Sequence, residues 1–290
     1  MLPLKKLGTN AIFSVTRSIH VATIGIAIGL LAACAAPGPG PERQGGGVDV
    51  GGGSGLAQLI PAAEVEQAGV QQYAEMMGEA SKKKVLLPAN HPQVLRLRAI
   101  ASRIIPHALV WNPRAKDWKW EVNLVSSDQL NAYCLPGGKI AFYTGILDHL
   151  RLTDDEAAMI MGHEVAHALR EHARERMGKQ AATSAGADLF SRVFGLGNVG
   201  QTVTRYGAQL LNLRFDREDE SEADLVGMEL AARAGYDPRA GVTLWQKMAA
   251  GSTGTPPEWL STHPSNQSRI GEIQANLPKV MPLYEAARRR

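Results

Sequence analysis

The run Thr153-Asp154-Asp155-Glu156-Ala157-Ala158-Met159-Ile160-Met161-Gly162-His163-Glu164-Val165-Ala166-His167-Ala168-Leu169 carries its own start signal. The Thr153 hydroxyl can cap the first turn while Glu156 reaches back, so a helix is expected from Thr153 through the 160s to about Met177. Four residues turn a helix by about 400°, which puts His163 and His167 on one face, suited to two nitrogens on one ion. Glu164, beside the first histidine, is placed to act as general base on an attacking water. Coincidental spacing on a solvated face is the alternative. Met159, Ile160, Met161, Val165, Ala166 and Leu169 argue against it, because a helix so apolar is largely buried. Buried histidines and a buried glutamate need compensation, and a metal supplies it.

A catalytic zinc takes three protein ligands, so a third must come from another element. A metzincin would need Gly at 170 and His at 173, where this chain has Arg170 and Ala173, and that subclass is excluded. Downstream, Glu220-Ser221-Glu222-Ala223-Asp224 lies in a helix expected over Asn212 to Ala234. Glu220 and Asp224 share a face, so one can bind the metal while the other orients a ligating histidine. Glu218 and Glu222 read as solvated partners of Arg214 and Arg217, although spacing alone leaves the choice among the three glutamates open.

Outward from this centre, helical periodicity covers Ala57 to Lys82 and Val94 to Ala108. Trp118 to Val125 alternates as a strand, and Asn131 to Leu135 and Lys139 to Tyr143 flank a turn at Pro136-Gly137-Gly138. Residues 178–209 are rich in Gly, Ala and Ser and suggest a mobile, lid-like segment. Asp237-Pro238 opens a helix, and another is expected from Ser265 to Leu277. The fold class is therefore α+β, mostly helical, with one small mixed sheet and an active-site helix. With 290 residues, 44% apolar and 20% charged, the composition is that of a globular protein.

The amino end has another character. Lys5, Lys6 and Arg17 precede an apolar run from Val21 to Ala33, the charged and apolar regions of a signal peptide. Leu31-Ala32-Ala33-Cys34 resembles the bacterial lipobox, which implies removal of residues 1–33 and acylation of Cys34, whose sulfur forms the lipid thioether. Several acyl chains give stable anchoring where one is marginal. Ala35, in place of Asp, favours the outer membrane by the same resemblance. The expected location is thus the bacterial periplasm, on the outer membrane. Residues 34–55, with their Gly and Pro runs, read as a flexible tether, and 56–290 as the folded domain. Without residues 1–33 the balance is 28 basic against 28 acidic residues, which leaves no electrostatic footprint for nucleic acid. Cys134 is then unpaired and reads as a buried apolar residue.

From about Asn131 to Ile270 the chain resembles the gluzincin metallopeptidases typified by the CAAX prenyl proteases and HtpX, in particular their soluble periplasmic lipoprotein branch, BepA- and LoiP-like. The resemblance rests on His-Glu-x-x-His followed by Glu-x-x-Ala-Asp, on Asn131-Ala132 with Leu135-Pro136-Gly137-Gly138, and on Gly235-Tyr236-Asp237-Pro238. It implies a zincin-like domain with one Zn2+ per chain on His163, His167 and Glu220. It also implies Glu164 as base and Asp224 as the acid behind the ligands. Ser261-Thr262-His263-Pro264 with Arg269 resembles the family's late His-Pro segment, and Pro264 restricts His263 to extended geometry. The roles implied for His263 are oxyanion stabilisation or reversible occupation of the fourth metal position. His91, His107, His149 and His172 have no such partner and are read as structural or exposed.

The resulting expectation is a zinc endopeptidase acting on unfolded or misassembled envelope proteins. The substrate would lie extended along Asn131, Ala132, Tyr133 and Cys134. A chaperone-like assembly factor with a latent metal site, partnered by outer-membrane assembly machinery, is the alternative.

Overall fold

Proline sets the first boundaries in the computed structural model, which describes residues 46–183, 207, 210, 213–250, 258–264 and 267–289. A 3-10 turn at Gly55–Leu59 precedes helix α1, Ala62–Lys82. The single helix expected from Ala57 is broken here because Pro61 holds Ile60 extended (φ −115°, ψ 126°). Helix α2, Pro92–Ile104, starts where the His91 ring accepts a hydrogen bond from the Gln93 amide, and a 3-10 turn at Ile105–His107 ends it.

Strands β1 (Glu121–Val125), β2 (Ala132–Leu135) and β3 (Lys139–Tyr143) form one sheet in the order β1-β3-β2. β1 runs parallel to β3, with Asn123 opposite Ala141, and β2 runs antiparallel to it, with Tyr133 opposite Ala141. Gly137 and Gly138 turn the β2-β3 hairpin at φ 87° and 77°, values that side chains disfavour. The Leu86–Val125 bridge covers the outer edge of β1, so among the described residues β2 is the edge without a further strand.

Helix α3, Thr144–His149, leads into α4, Asp154–Leu169. The capping box forms as expected: Thr153 Oγ1 accepts from the Glu156 amide at 3.2 Å, and the Thr153 amide donates to Glu156 Oε2 at 2.9 Å. The helix does not continue to Met177. It closes at Arg170, Glu171 takes a left-handed conformation (φ 58°), and α5 runs from His172 to Thr183. Residues 178–183, the start of the proposed lid, finish α5. The rest of that segment falls outside the described residues, apart from Gly207.

Helix α6, Arg217–Arg233, begins later than expected because Asp216 caps it, accepting from the Glu218 and Asp219 amides. Helices α7 (Ala240–Ala250), α8 (Glu258–Thr262) and α9 (Gln267–Arg288) follow. α9 passes Leu277 and runs through Pro278 and Pro282, with Val280 and Leu283 buried in the core beyond them. None of the described helices is long and apolar enough to cross a membrane.

The expected signal peptide, Cys34 and the first part of the expected tether lie outside the described residues. The end of that tether behaves differently from the expectation. Val48 is fully buried, its amide donates to Glu229 Oε2 at 2.8 Å, and the Gly46 and Gly51 carbonyls accept from Arg233 and Arg170. One apolar side chain and a buried carboxylate on α6 hold these residues as a strap, which composition alone does not reveal.

From Glu156 to Leu169 every residue of α4 is buried, so this helix is the axis of the core. It packs on α6 through Gly162 and Gly227, where the backbones meet. A Cβ on Gly162 would lie 2.5 Å from the Gly227 carbonyl oxygen, and one on Gly227 would lie 2.5 Å from the His163 amide nitrogen. Gly227→Ala is therefore expected to destabilise the protein, even though alanine is the better helix former by about 1 kcal/mol. Overpacking against backbone costs about 1–3 kcal/mol, and a urea melt measures the net effect. A midpoint at or above that of the wild type would show that the two helices separate freely.

Candidate metal centre

The close approach of α4 and α6 sets what faces what between them. α4 presents His163 and His167, α6 presents Glu220 and Asp224, and the end of α8 delivers His263. One ligand atom from each of His163, His167, Glu220 and His263 lies within 4.8 Å of the other three, and all four residues are buried. His163 Nε2 is 3.1 Å from His167 Nε2, 3.2 Å from His263 Nδ1 and 3.6 Å from Glu220 Oε2. Glu220 Oε1 lies 3.5 Å from His167 Nε2 and 2.9 Å from His263 Nδ1.

These separations test whether a zinc ion fits. Ligands about 2.0–2.1 Å from a tetrahedral ion stand about 3.3–3.4 Å apart, close to the values found here. Three imidazole nitrogens turned toward one another cannot all be satisfied by each other's protons, so the cluster calls for a cation. The donor set, three imidazoles and a carboxylate, suits zinc.

Charge at the centre is balanced from behind. Arg269, buried in α9, donates from Nε and Nη2 to the two Asp224 oxygens (2.6 and 2.7 Å), and its Nη1 lies 2.6 Å from Glu220 Oε2. Its guanidinium also sits 3.9 Å over the Trp245 ring. Burial alone would raise the pKa of Asp224, but Arg269 and His163 outweigh it and hold the group at about 2. Glu220 is likewise lowered against its burial, by His263, His163 and Arg269. Burial, followed by the neighbouring His163, His172 and His263 rings and Arg269, pushes His167 well down, so its ring stays neutral. Burial opposes the charged form of His263 too, yet Glu164 and Glu220 raise its pKa. Arg269→Leu strands two buried carboxylates, and breaking a buried ion pair costs about 3–5 kcal/mol. Thermal melting of the zinc-free protein is expected to show that loss, and an unchanged melting temperature would refute the assigned balance.

Glu164 is buried beside the cluster and accepts from Trp259 Nε1 at 2.6 Å. Trp259 also stacks on His263, with ring centroids 4.8 Å apart, and Phe215 stacks on His167 at 4.0 Å. Neither aromatic carried a signal in the sequence, where a lone Trp or Phe is indistinguishable from any core residue. A cleft of about 210 Å³ opens onto Glu164, His167 and His263 and is walled by Asn131 to Pro136. Cys134 lines it, with burial pushing the thiol pKa well up.

Two expectations need correction. His172 is neither exposed nor without a partner: it is fully buried, with Nδ1 2.9 Å from His167 Nδ1. Glu222 does not pair with Arg214 or Arg217 but with His172 and Arg170. The His172 error follows from extending one helix through residue 170.

Two histidines one turn apart on one helix, a carboxylate from a second helix and a buried glutamate beside them make up the centre of a gluzincin-type metallopeptidase. Residues 86–277 match the model of peptidase family M48, and the chain belongs to that family. It is 34% identical over 218 residues to mitochondrial metalloendopeptidase OMA1 of Schizosaccharomyces pombe, covering 74% of this chain and 61% of that one. It is 32% identical over 223 residues to the OMA1 of Saccharomyces cerevisiae, covering 69% and 60%. It is 30% identical over 186 residues to the beta-barrel assembly-enhancing protease of Yersinia pestis, covering 60% and 38%. The chain thus spans less than two thirds of the length of these relatives. Zinc is the metal of the family, and the donor set described above fits it.

Proposed function

We propose that this chain is a zinc-dependent endopeptidase, anchored through lipidated Cys34 to the periplasmic side of a bacterial outer membrane, that hydrolyses unfolded or misassembled envelope proteins. The observation that carries the catalytic part is the convergence of four donor atoms beside Glu164, in a cleft walled by the edge strand β2. The lipid anchor rests on the lipobox resemblance at Leu31 to Cys34, and the envelope substrates on the relative named a beta-barrel assembly-enhancing protease.

In this reading His163, His167 and Glu220 hold the ion. When bound, zinc supplies Lewis acidity to a water and to the scissile carbonyl. Glu164, fixed by Trp259 Nε1, takes the proton from the attacking water and returns it to the departing amine. Asp224 receives Nδ1–H of His163 and keeps that ring turned for ligation. An extended substrate adds to β2 through main-chain hydrogen bonds, which recognises unfolded chain and little of its sequence. Met76, Tyr133, Tyr143 and Leu213 offer the neighbouring side chain an apolar wall.

A second reading is favoured by one contact: His263 Nδ1 sits among the ligand atoms, where a water or substrate oxygen would come. The closed centre is then latent, and the protein in that state acts as a chaperone-like assembly factor until the His263 segment withdraws. The deciding experiment measures hydrolysis of an unfolded polypeptide by the full chain, with and without a zinc chelator. Turnover that resists the chelator would overturn the peptidase reading.

A further inference from the structure

A ligating imidazole uses one nitrogen for the ion, and its other nitrogen needs a partner. For His163 that partner is a carboxylate, Asp224 Oδ1 at 3.0 Å. For His167 it is another ring: Nδ1 lies 2.9 Å from His172 Nδ1, and His172 Nε2 lies 3.0 Å from Glu222 Oε2. Glu222 is ion-paired with Arg170, which donates from Nη2 to the Gly51 carbonyl of the strap at 3.2 Å. We propose that His172, held by Glu222 and Arg170, is the positioning residue for His167, fixing its tautomer and ring orientation for metal binding. This rests on the metal-centre reading above.

The protons can be assigned in only one way. For His167 Nε2 to present a lone pair to the ion, the proton must sit on Nδ1. His172 Nδ1 must then accept it, which puts the proton of His172 on Nε2, where it donates to the Glu222 carboxylate. The opposite His172 tautomer would set two N–H groups against each other at Nδ1 and leave Glu222 without its donor. His172 is fully buried, so water does not stand in for either contact.

The backbone shows why a residue five positions along can do this. In a continuous helix His172 would point about 140° away from His167. The left-handed turn at Glu171 ends α4 and starts α5 on His172, which brings the two rings to 4.9 Å between centroids. Phe215 stacks on the His167 ring at 4.0 Å and limits its rotation further.

The test is zinc affinity of the full chain, measured by competition with a chelating indicator, together with the visible spectrum of the cobalt(II) form. His172→Leu is expected to weaken zinc binding about 10–100-fold and to alter the cobalt spectrum. His172→Asn, which keeps an acceptor near the Nδ1 position, is expected to restore most of the affinity. Glu222→Gln leaves the ring in place and is expected to weaken binding by about 10-fold. Wild-type affinity in a folded His172→Leu variant overturns the proposal, as does an Asn variant no better than Leu, which would assign the loss to packing. If the leucine variant fails to fold, unchanged affinity in Glu222→Gln overturns it instead. A wild type that binds no zinc at all would remove the metal-centre reading itself, a result distinguishable from all of these.

Discussion

Glu164→Gln is expected to lower hydrolysis of an unfolded polypeptide by about 10²–10⁴-fold, the usual contribution of a positioned general base. The substitution is nearly isosteric, and the glutamine oxygen can still accept from Trp259 Nε1, which now meets the carboxylate at 2.6 Å. Zinc content and melting temperature should therefore stay close to wild type, because Glu164 belongs neither to the four donors nor to the Asp224–Arg269 ion pair. The loss should appear in kcat with little change in KM, since the proposed main-chain pairing of substrate with β2 does not involve this carboxylate. Equal turnover by wild type and variant would mean that hydrolysis in the preparation comes from another protein.

His263→Ala separates the two roles by the sign of its effect. If His263 occupies the fourth metal position, the open form is a minority state, commonly 0.1–10% of molecules, and removing the ring raises activity by about tenfold or more. If instead it stabilises the oxyanion, activity falls by about 10²–10³-fold. The position of Nδ1, 2.9 Å from Glu220 Oε1 and 3.2 Å from His163 Nε2, leads us to expect the rise. Trp259 strengthens that expectation, because it stacks on His263 and also binds Glu164, so the closed segment engages ligand and base together. The measurement is initial rate at saturating zinc, and a fall would refute latency.

Much of this arrangement was legible in the residues because it is periodic. The spacing of His163 and His167, and that of Glu220 and Asp224, place each pair on one helical face whatever the tertiary context. The turn at Pro136-Gly137-Gly138 declared its hairpin through residues suited to positive φ. What stayed hidden depended on single backbone events or on isolated side chains. Glu171 takes a left-handed conformation with no glycine to announce it, so the sequence reads as one helix through His172 and gives that residue the wrong surroundings. Pro278 and Pro282 mark an end in most helices, yet α9 continues through both to Arg288 with its apolar residues in the core. Trp259 and Phe215 came to the site only through the packing of distant segments.

The strap at residues 46–51 changes where the folding unit begins. A fragment started at the first 3-10 turn would strip Val48 from its buried seat and take its amide donor away from the buried Glu229 carboxylate. It would also remove the backbone carbonyl that anchors Arg170. Boundaries drawn from the family match at 86–277, or from helical periodicity, therefore cut inside the cooperative body at both termini. Laboratory versions intended to report on the centre should retain Gly46 at one end and the last turn of α9 at the other.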